Sequence, residues 1–431
     1  MEGTVEVFDG TDWTAGVVGL GYVGLPLLMQ FSEAGISGIG YDIDPSVVSI
    51  LSEGRSHIDD VTNERVKKAL SDGLRLSTTS SDLAEADAIF ICVPSPLGRN
   101  RQPDLSYIEA ACRMIEDVAH GGQLIVLEST SYPGTTDDYV VPAVLRAGLS
   151  LDHDVFVAFS PERVSPGDKL LTGPIPKVVG GVTELSGRVA AAAYRRIAPS
   201  VFEMSSARSA EMTKLLENTY RAVNIGLINE MAQLAHELDI DIWEVIDGAS
   251  TKPFGFHAFA PGPGVGGHCI PLDPQYLSWR AREANFTTRF IDTAEQVNAK
   301  MPDYNVARIA ALLNERGLPV RGTAILGIGI AYKPDVADDR ESASIQVLKQ
   351  LAIQGARVSV LDPLIGGEGI RRHGFIPITE EVDMTRFAIA LVLTDHTSID
   401  YERILQDVQL IYDARGVYRR LGIESDRVVH L

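Results

Sequence analysis

From Thr14 the chain alternates short apolar runs with amphipathic stretches. The run AGVVGLG at 15–21 is apolar and punctuated by glycine, YVGLPLLMQFSEAG at 22–35 has the apolar spacing of a helix, and ISGIGYDID at 36–44 is apolar again. Strand, helix and strand within roughly 35 residues make one βαβ unit and predict a parallel sheet. Further apolar runs follow at 86–94 (ADAIFICVP), 122–130 (GQLIVLEST) and 155–163 (VFVAFSPER), separated by helical text such as LSYIEAACRMIEDVAH at 105–120. Near Ser205 the pattern changes to long helical text at 206–250, a Gly/Pro-rich loop at 261–267, and more helix around 274–315. Strand text returns at 322–332, 356–363, 387–395 and 409–416. The expected fold is therefore α/β, with two Rossmann-like doubly wound domains at 1–205 and 316–431 joined by a central helical segment at 206–315.

Length agrees: 431 residues is too long for one hydrophobic core. The 45% hydrophobic content excludes disorder, and 58 acidic against 38 basic residues leave a formal charge of −20 with no basic run. A nucleic-acid partner is thereby excluded, and a phosphate-bearing ligand needs local donors to offset the overall field. Three cysteines, Cys92, Cys112 and Cys269, form neither a disulfide framework nor a zinc knuckle. The acidic N-terminus and the lack of an 18-residue apolar span predict neither export nor membrane insertion, so a cytoplasmic protein is expected.

Gly19, Gly21 and Gly24 stand at the first strand-to-helix turn, with Asp42 eighteen residues after the last. In a dinucleotide site the first glycine permits the tight turn, the second admits a pyrophosphate to the backbone, and the third lets helix pack on strand. An acid at the position of Asp42 accepts from a ribose 2′-hydroxyl and repels a 2′-phosphate, which favours NAD over NADP. The second α/β half opens with Gly327 and Gly329, but Ala331 and Tyr332 follow and the fingerprint is incomplete. There Lys333, Arg340 and Arg415 lie after strands, where a different phosphate ligand can bind or where they are simply solvated.

Cys92 and Cys112 sit in apolar and amphipathic text and read as small buried hydrophobes. Cys269 follows the glycine-crowded loop PGPGVGGH, with Asp273 four residues on; its residue type alone leaves a structural and a reactive thiol equally open. Lys214 and Asn218 share a helix face at i,i+4, suited to an oxyanion or to solvent. Thr130 and Glu162 fall at the ends of strands, where α/β sites assemble. His268 beside Cys269 suggests a metal, but adjacent residues cannot easily share one tetrahedral ion, and none is assigned.

Together GLGYVGLP, GYDID, CVPSPL, LESTSYPGTT, FSPER, EMTKLLENTYRAVNI, GPGVGGHCIPLDP, AYKPDVADDRES and DARG resemble the UDP-glucose/GDP-mannose dehydrogenase family from about Ala15 to Arg420. Within it, TKPFGF and PGPGVGGHCIPLDPQYLSWRARE are most similar to the UDP-N-acetylglucosamine 6-dehydrogenase branch; UDP-N-acetylmannosamine and UDP-glucose are the alternative sugars. The resemblance implies a four-electron oxidation of a sugar C6 alcohol to a carboxylate with two NAD molecules in turn, through a thiohemiacetal and thioester on Cys269. It implies Glu162, Thr130 and Asp273 as the acid/base and water-holding set, and Lys214 and Asn218 as oxyanion donors. It further implies Gly19, Gly21, Tyr22, Val23, Gly24, Asp42, Pro94, Ser95, Thr130 and Arg340 around NAD. Around a UDP-sugar lying across the two halves it implies Glu162, Arg163, Lys214, Asn218, Gly266, Lys333 and Arg415. The helix after Ser205 resembles the family's dimerisation element, and a homodimer or higher homo-oligomer is expected. Two departures stand out: Val164 and Ser165 replace the acidic pair usual in the N-acetylhexosamine branch, and Ser95 replaces a threonine while keeping the hydroxyl. A nucleotide-sugar or NAD-binding sensor with dormant chemistry is the contrasting reading, and the joint presence of Cys269, Lys214, Asn218, Glu162 and Asp273 argues against it.

Overall fold

The computed structural model describes every residue except Met1, Asp59, 99–101, 164–174 and His268. The chain forms two compact units, one of Met1–Glu217 with Gln275–Phe286 and one of Asn218–Pro274 with Thr287–Leu431. The middle segment is thus shared between two bodies, with a boundary inside its first long helix.

In the first unit, the described strands are β1 (Thr14–Val18), β2 (Ser37–Tyr41), β3 (Arg75–Ser77), β4 (Ala88–Ile91), β5 (Gln123–Leu127), β6 (Val155–Phe159), β7 (Lys177–Gly181) and β8 (Val201–Met204). They form one sheet in the order β3-β2-β1-β4-β5-β6-β7-β8. All pairings are parallel except β6 with β7, where Ala158 faces Gly181 and Phe159 faces Gly180. Central strands are apolar throughout because helices cover both faces. Alternation still shows: Val17, Leu124 and Val126 enter a core with Leu28, Phe31 and Tyr194, while Val18, Ile125 and Leu127 enter another with Ile108, Cys112 and Ile115. Phe8, on a short helix Glu2–Asp9 that the sequence pattern had not suggested, begins an aromatic row running through Trp13, Phe31 and Phe90 to Tyr194.

In the second unit, β9 (Ala324–Ile328), β10 (Arg357–Leu361), β11 (Ile376–Pro377), β12 (Ile389–Val392), β13 (Ile411–Asp413) and β14 (Val428–His430) form an all-parallel sheet in the order β11-β10-β9-β12-β13-β14. Its winding repeats that of β3-β2-β1-β4-β5-β6. The switch points, where successive connections leave to opposite sides, fall between β1 and β4 and between β9 and β12, at the carboxyl ends where such sheets bind ligands.

The helical text at 206–250 divides into Ala207–Glu237 and Ile242–Ser250. The break has a local cause: Asp239 takes a left-handed conformation at φ 55°, and the Asp241 carboxylate accepts from the N–H groups of Trp243 and Glu244 to cap the next helix. Beyond the glycine-rich loop lie the helices Asp273–Glu283 and Arg289–Glu315. Among the described residues no helix is long and apolar enough to cross a membrane.

Candidate active site

The turn after β1 assigns a different task to each glycine. Gly19 has φ 88°, and a Cβ there would lie 2.7 Å from the Cys92 carbonyl oxygen; at Gly24 it would lie 1.9 Å from that of Gly19. Packing alone therefore demands these two. At Gly21 a Cβ would meet nothing within 4 Å, so the turn keeps open space there of its own accord. Helix Gly24–Glu33 starts at this point without a side-chain cap, so the positive end of its dipole faces the turn, although the Leu25 and Leu27 N–H groups already go to the Gly21 and Val23 carbonyls. Asp42, at the end of β2, accepts from Leu20 N–H at 2.8 Å and Asp44 N–H at 2.9 Å, which orients its carboxylate and leaves lone pairs for a ribose hydroxyl. Tyr22 is exposed and Val23 half-buried. Past β4, Pro94 is exposed and the Ser95 carbonyl accepts from the Tyr276 hydroxyl at 2.9 Å. These residues fit a dinucleotide.

Polar groups also gather past β5 and β6. Thr130 is half-buried two residues beyond Glu128, which is fully buried and takes a short hydrogen bond from the Tyr194 hydroxyl. Glu162 receives Lys177 Nζ on Oε2 at 3.1 Å and the Arg163 N–H on Oε1 at 2.8 Å. The same ammonium lies 3.1 Å from Glu128 Oε2. Arg163 forks onto Glu217, at 3.0 and 2.6 Å, and reaches the Pro176 carbonyl at 2.9 Å. Lys214 is half-buried one helical turn before Asn218.

Within the second unit, the cysteine loop is bound by glycine. Gly264 and Gly267 have φ of 139° and 82°, and a Cβ at Gly266 would lie 2.8 Å from the Glu341 carbonyl oxygen. Gly266 is thus required by its own unit irrespective of a ligand. Cys269 is exposed, and its carbonyl accepts from Asp273 N–H at 2.9 Å, closing the loop onto the helix that Asp273 begins. The Asp273 carboxylate is buried and held by Asn218 Nδ2 at 2.5 Å. Cys92 and Cys112 are buried; burial pushes both thiols up, that of Cys112 to about 12. Arg415, after β13, is paired with Asp395 at 2.9 Å, and its Nη1 would stand 2.7 Å from a Cβ at Gly262. Lys333 is half-buried, and Arg340 makes a fork with Asp338 at 2.9 and 2.6 Å. Gly329 opens this unit's first turn, yet Ile330 and Ala331 give their N–H groups to Asp362 and no helix begins before Ala343, so the turn departs from the first one as its missing glycine suggests. Val164, Ser165 and His268 lie outside the described residues.

Three family models cover the chain in order: the NAD binding domain of the UDP-glucose/GDP-mannose dehydrogenase family at 14–198, its central domain at 208–300 and its UDP binding domain at 324–420. The chain belongs to the UDP-glucose/GDP-mannose dehydrogenase family. Among its relatives, a UDP-N-acetyl-D-mannosamine dehydrogenase of Campylobacter jejuni is 37% identical, covering 81% of this chain and 86% of that one. A UDP-N-acetyl-D-glucosamine 6-dehydrogenase of Salmonella typhi is 31% identical, covering 93% and 95%. The solved UDP-D-ManNAc dehydrogenase structure from Pyrococcus horikoshii superimposes with a TM-score of 0.86 at 32% identity, covering 94% and 96%. This dehydrogenase is therefore an NAD-dependent oxidoreductase acting on a nucleotide sugar.

Sequence reasoning passed over Glu128, Lys177 and Tyr194. Glu128 carried a signal, since it ends the same apolar run that drew attention to Thr130. Lys177 and Tyr194 carried none, because a lysine opening a strand and a tyrosine in a helix are ordinary residues until the strands are ordered.

Proposed function

We propose that the dehydrogenase oxidises the C6 alcohol of a UDP-N-acetylhexosamine, UDP-N-acetylglucosamine foremost, to the carboxylate through a thioester on Cys269. The observation carrying the covalent route is that Cys269 alone of the three cysteines is exposed, at the end of a glycine loop closed onto Asp273. NAD, when bound, accepts the hydride that leaves C6 in each oxidation, and the C6 hydroxyl proton passes in the first to Glu162 through the water that Thr130 and Asp273 hold, from where it is released to solvent. Cys269 Sγ, as thiolate, bonds to the aldehyde carbon and forms the thiohemiacetal, which loses the second hydride to become the thioester. Asn218 spends one amide hydrogen on Asp273 and keeps the other for the C6 oxygen, joined by the Lys214 ammonium; one such donor in a dry site is worth about 3 kcal/mol. Water, held by Thr130 and Asp273, gives its proton to Glu162 as it adds to the thioester; the C–S bond then breaks and the thiolate is restored. Lys333 and Arg415 supply the donors that a diphosphate needs against a net charge of −20, with Arg163 and Gly266 on the substrate and Arg340 on the cofactor.

The sugar assignment rests on the text around the cysteine loop, while the relatives carry names for both N-acetylglucosamine and N-acetylmannosamine. NADH formation should therefore be counted per sugar consumed, with UDP-N-acetylglucosamine, UDP-N-acetylmannosamine and UDP-glucose offered separately. Two NADH with the first sugar alone is the expected result. Turnover of another sugar moves the assignment, and binding without NADH favours a dormant site. Cys269→Ala should abolish uronate formation; uronate at the wild-type rate would remove the thioester route.

We also infer a homodimer. Met212, Leu216, Tyr220, Leu227, Leu234 and Leu238 are exposed along the helix Ala207–Glu237 and the residue after it, at spacings of four and seven that keep them on one face.

A further inference from the structure

Lys177 opens β7 and is not among the residues that the reaction above employs. Because β7 runs antiparallel to β6, its first residue lies at the carboxyl end of the sheet, and continuing the register of Ala158 with Gly181 and Phe159 with Gly180 brings Lys177 opposite Glu162. A parallel β7 would carry it to the far end of the strand, roughly 15 Å away. The ammonium sits 3.1 Å from Glu162 Oε2 and 3.1 Å from Glu128 Oε2, and 5.2 Å from the centroid of the Tyr194 ring. Its side chain is 12% exposed and that of Glu128 is 0% exposed. Glu128 is fixed in turn by the Tyr194 hydroxyl, and Tyr194 by its packing on Phe90.

We propose that Lys177 is a positioning residue for Glu162, with Glu128 as the standing counter-ion that keeps the buried ammonium paired while Glu162 gains and loses its proton. A base that neutralises its only partner during each cycle would leave a cation unpaired out of water, at a large penalty. The second carboxylate removes that penalty, so Glu162 can take the proton of the attacking water and release it again. Burial pulls the Lys177 ammonium down, but Glu128 and then Glu162 outweigh it and hold it above its ordinary value, so the cation persists through the cycle. The titratable groups facing this stack are Glu128 after β5, Glu162 after β6, Tyr194 on helix Glu184–Arg195 and Cys92 after β4; burial pushes the last two up, which leaves them neutral, and burial also pushes the Glu128 carboxyl up, opposed by the Lys177 ammonium and the Tyr194 hydroxyl.

The inference rests on Glu162 acting as the base, and the experiment separates the two claims. Glu162→Gln is examined first by intact-mass detection of the acyl-enzyme in a rapid quench with NAD and the UDP-sugar. Accumulation supports the base; no accumulation overturns both claims. The pH profile of kcat is then compared in Lys177→Met, Lys177→Arg and Glu128→Gln. Lys177→Met should lower kcat by roughly 10- to 100-fold with KM little changed, and move the acidic limb up by about one to two pH units, since Glu162 loses its cation. Glu128→Gln should move that limb down, since Glu162 then has the ammonium to itself. Lys177→Arg, keeping the charge, should restore the limb of the native enzyme. Opposite shifts in the two neutralising variants support the inference. An unmoved limb in folded, NAD-binding variants overturns it while leaving the role of Glu162 intact, and Glu128→Gln, being isosteric, decides the matter should Lys177→Met fail to fold.

Discussion

A methyl group added at Gly24 would lie 1.9 Å from the Gly19 carbonyl oxygen, whereas one at Gly21 meets nothing within 4 Å. Gly24→Ala should therefore cost the first unit about 1–3 kcal/mol, as overpacking does, and lower its melting midpoint without any ligand. Gly21→Ala should leave that midpoint in place and weaken NAD roughly tenfold or more by filling the space beside the backbone amides. Calorimetric titration beside melting curves separates them, and an unchanged NAD affinity in Gly21→Ala would show that the open side of the turn does not face the cofactor. Asp362 yields a prediction of another kind. Burial pushes its carboxyl up, but hydrogen bonding from His396 and the N–H groups of Ile330 and Ile365 prevails and holds it at about 2. A carboxyl lowered on folding contributes stability that is complete above its unfolded value near 3.8 and is lost as pH falls through 2, worth roughly 2 kcal/mol. Urea midpoints between pH 5 and 2 should thus decline more steeply in the native chain than in Asp362→Asn; parallel declines would contradict this.

Among the elements, the helix Ala207–Glu237 carries the clearest unspent surface. Leu227 and Leu234 are 54% and 48% exposed, one heptad apart, within the apolar row described above. Replacing both by lysine should convert a dimer into monomers in sedimentation velocity without lowering helix content, and an unchanged sedimentation coefficient would place the dimer contact elsewhere. Other elements left little trace in the text. β3, β8, β11 and β14 are edge or near-edge strands of two to four residues, too short for alternation to register, whereas the buried centres β1, β4, β5, β6, β9 and β12 stood out as apolar runs. The two aspartates Asp239 and Asp241 decide where the long helical text breaks, and both are legible afterwards as left-handed and capping residues.

At the scale of the molecule, two units with separate cores and separate ligands predict two thermal transitions. NAD should raise the one belonging to the unit with the glycine turn, and UDP the one belonging to the unit that matches the UDP binding domain, each by about 2.7 kcal/mol at a hundred times its dissociation constant. A single transition moved equally by both ligands would show that the units melt as one. The expectation of two doubly wound α/β halves, the glycine turn with its acid, the lack of any basic run and the glycine-crowded loop before Cys269 were determined by sequence alone, because each depends on composition or on neighbours within one turn, one strand or one short loop. Asp362 serving its unit much as Asp42 serves the other, Gly266 demanded by Glu341, Asn218 holding Asp273, and above all Lys177 between Glu128 and Glu162 were decided only by the tertiary structure. Those partners are fifteen or more residues apart in the chain, and the last three meet because one strand in a parallel sheet is reversed. Strand order and direction bring distant residues together, and the local spacing of apolar and polar positions does not encode them.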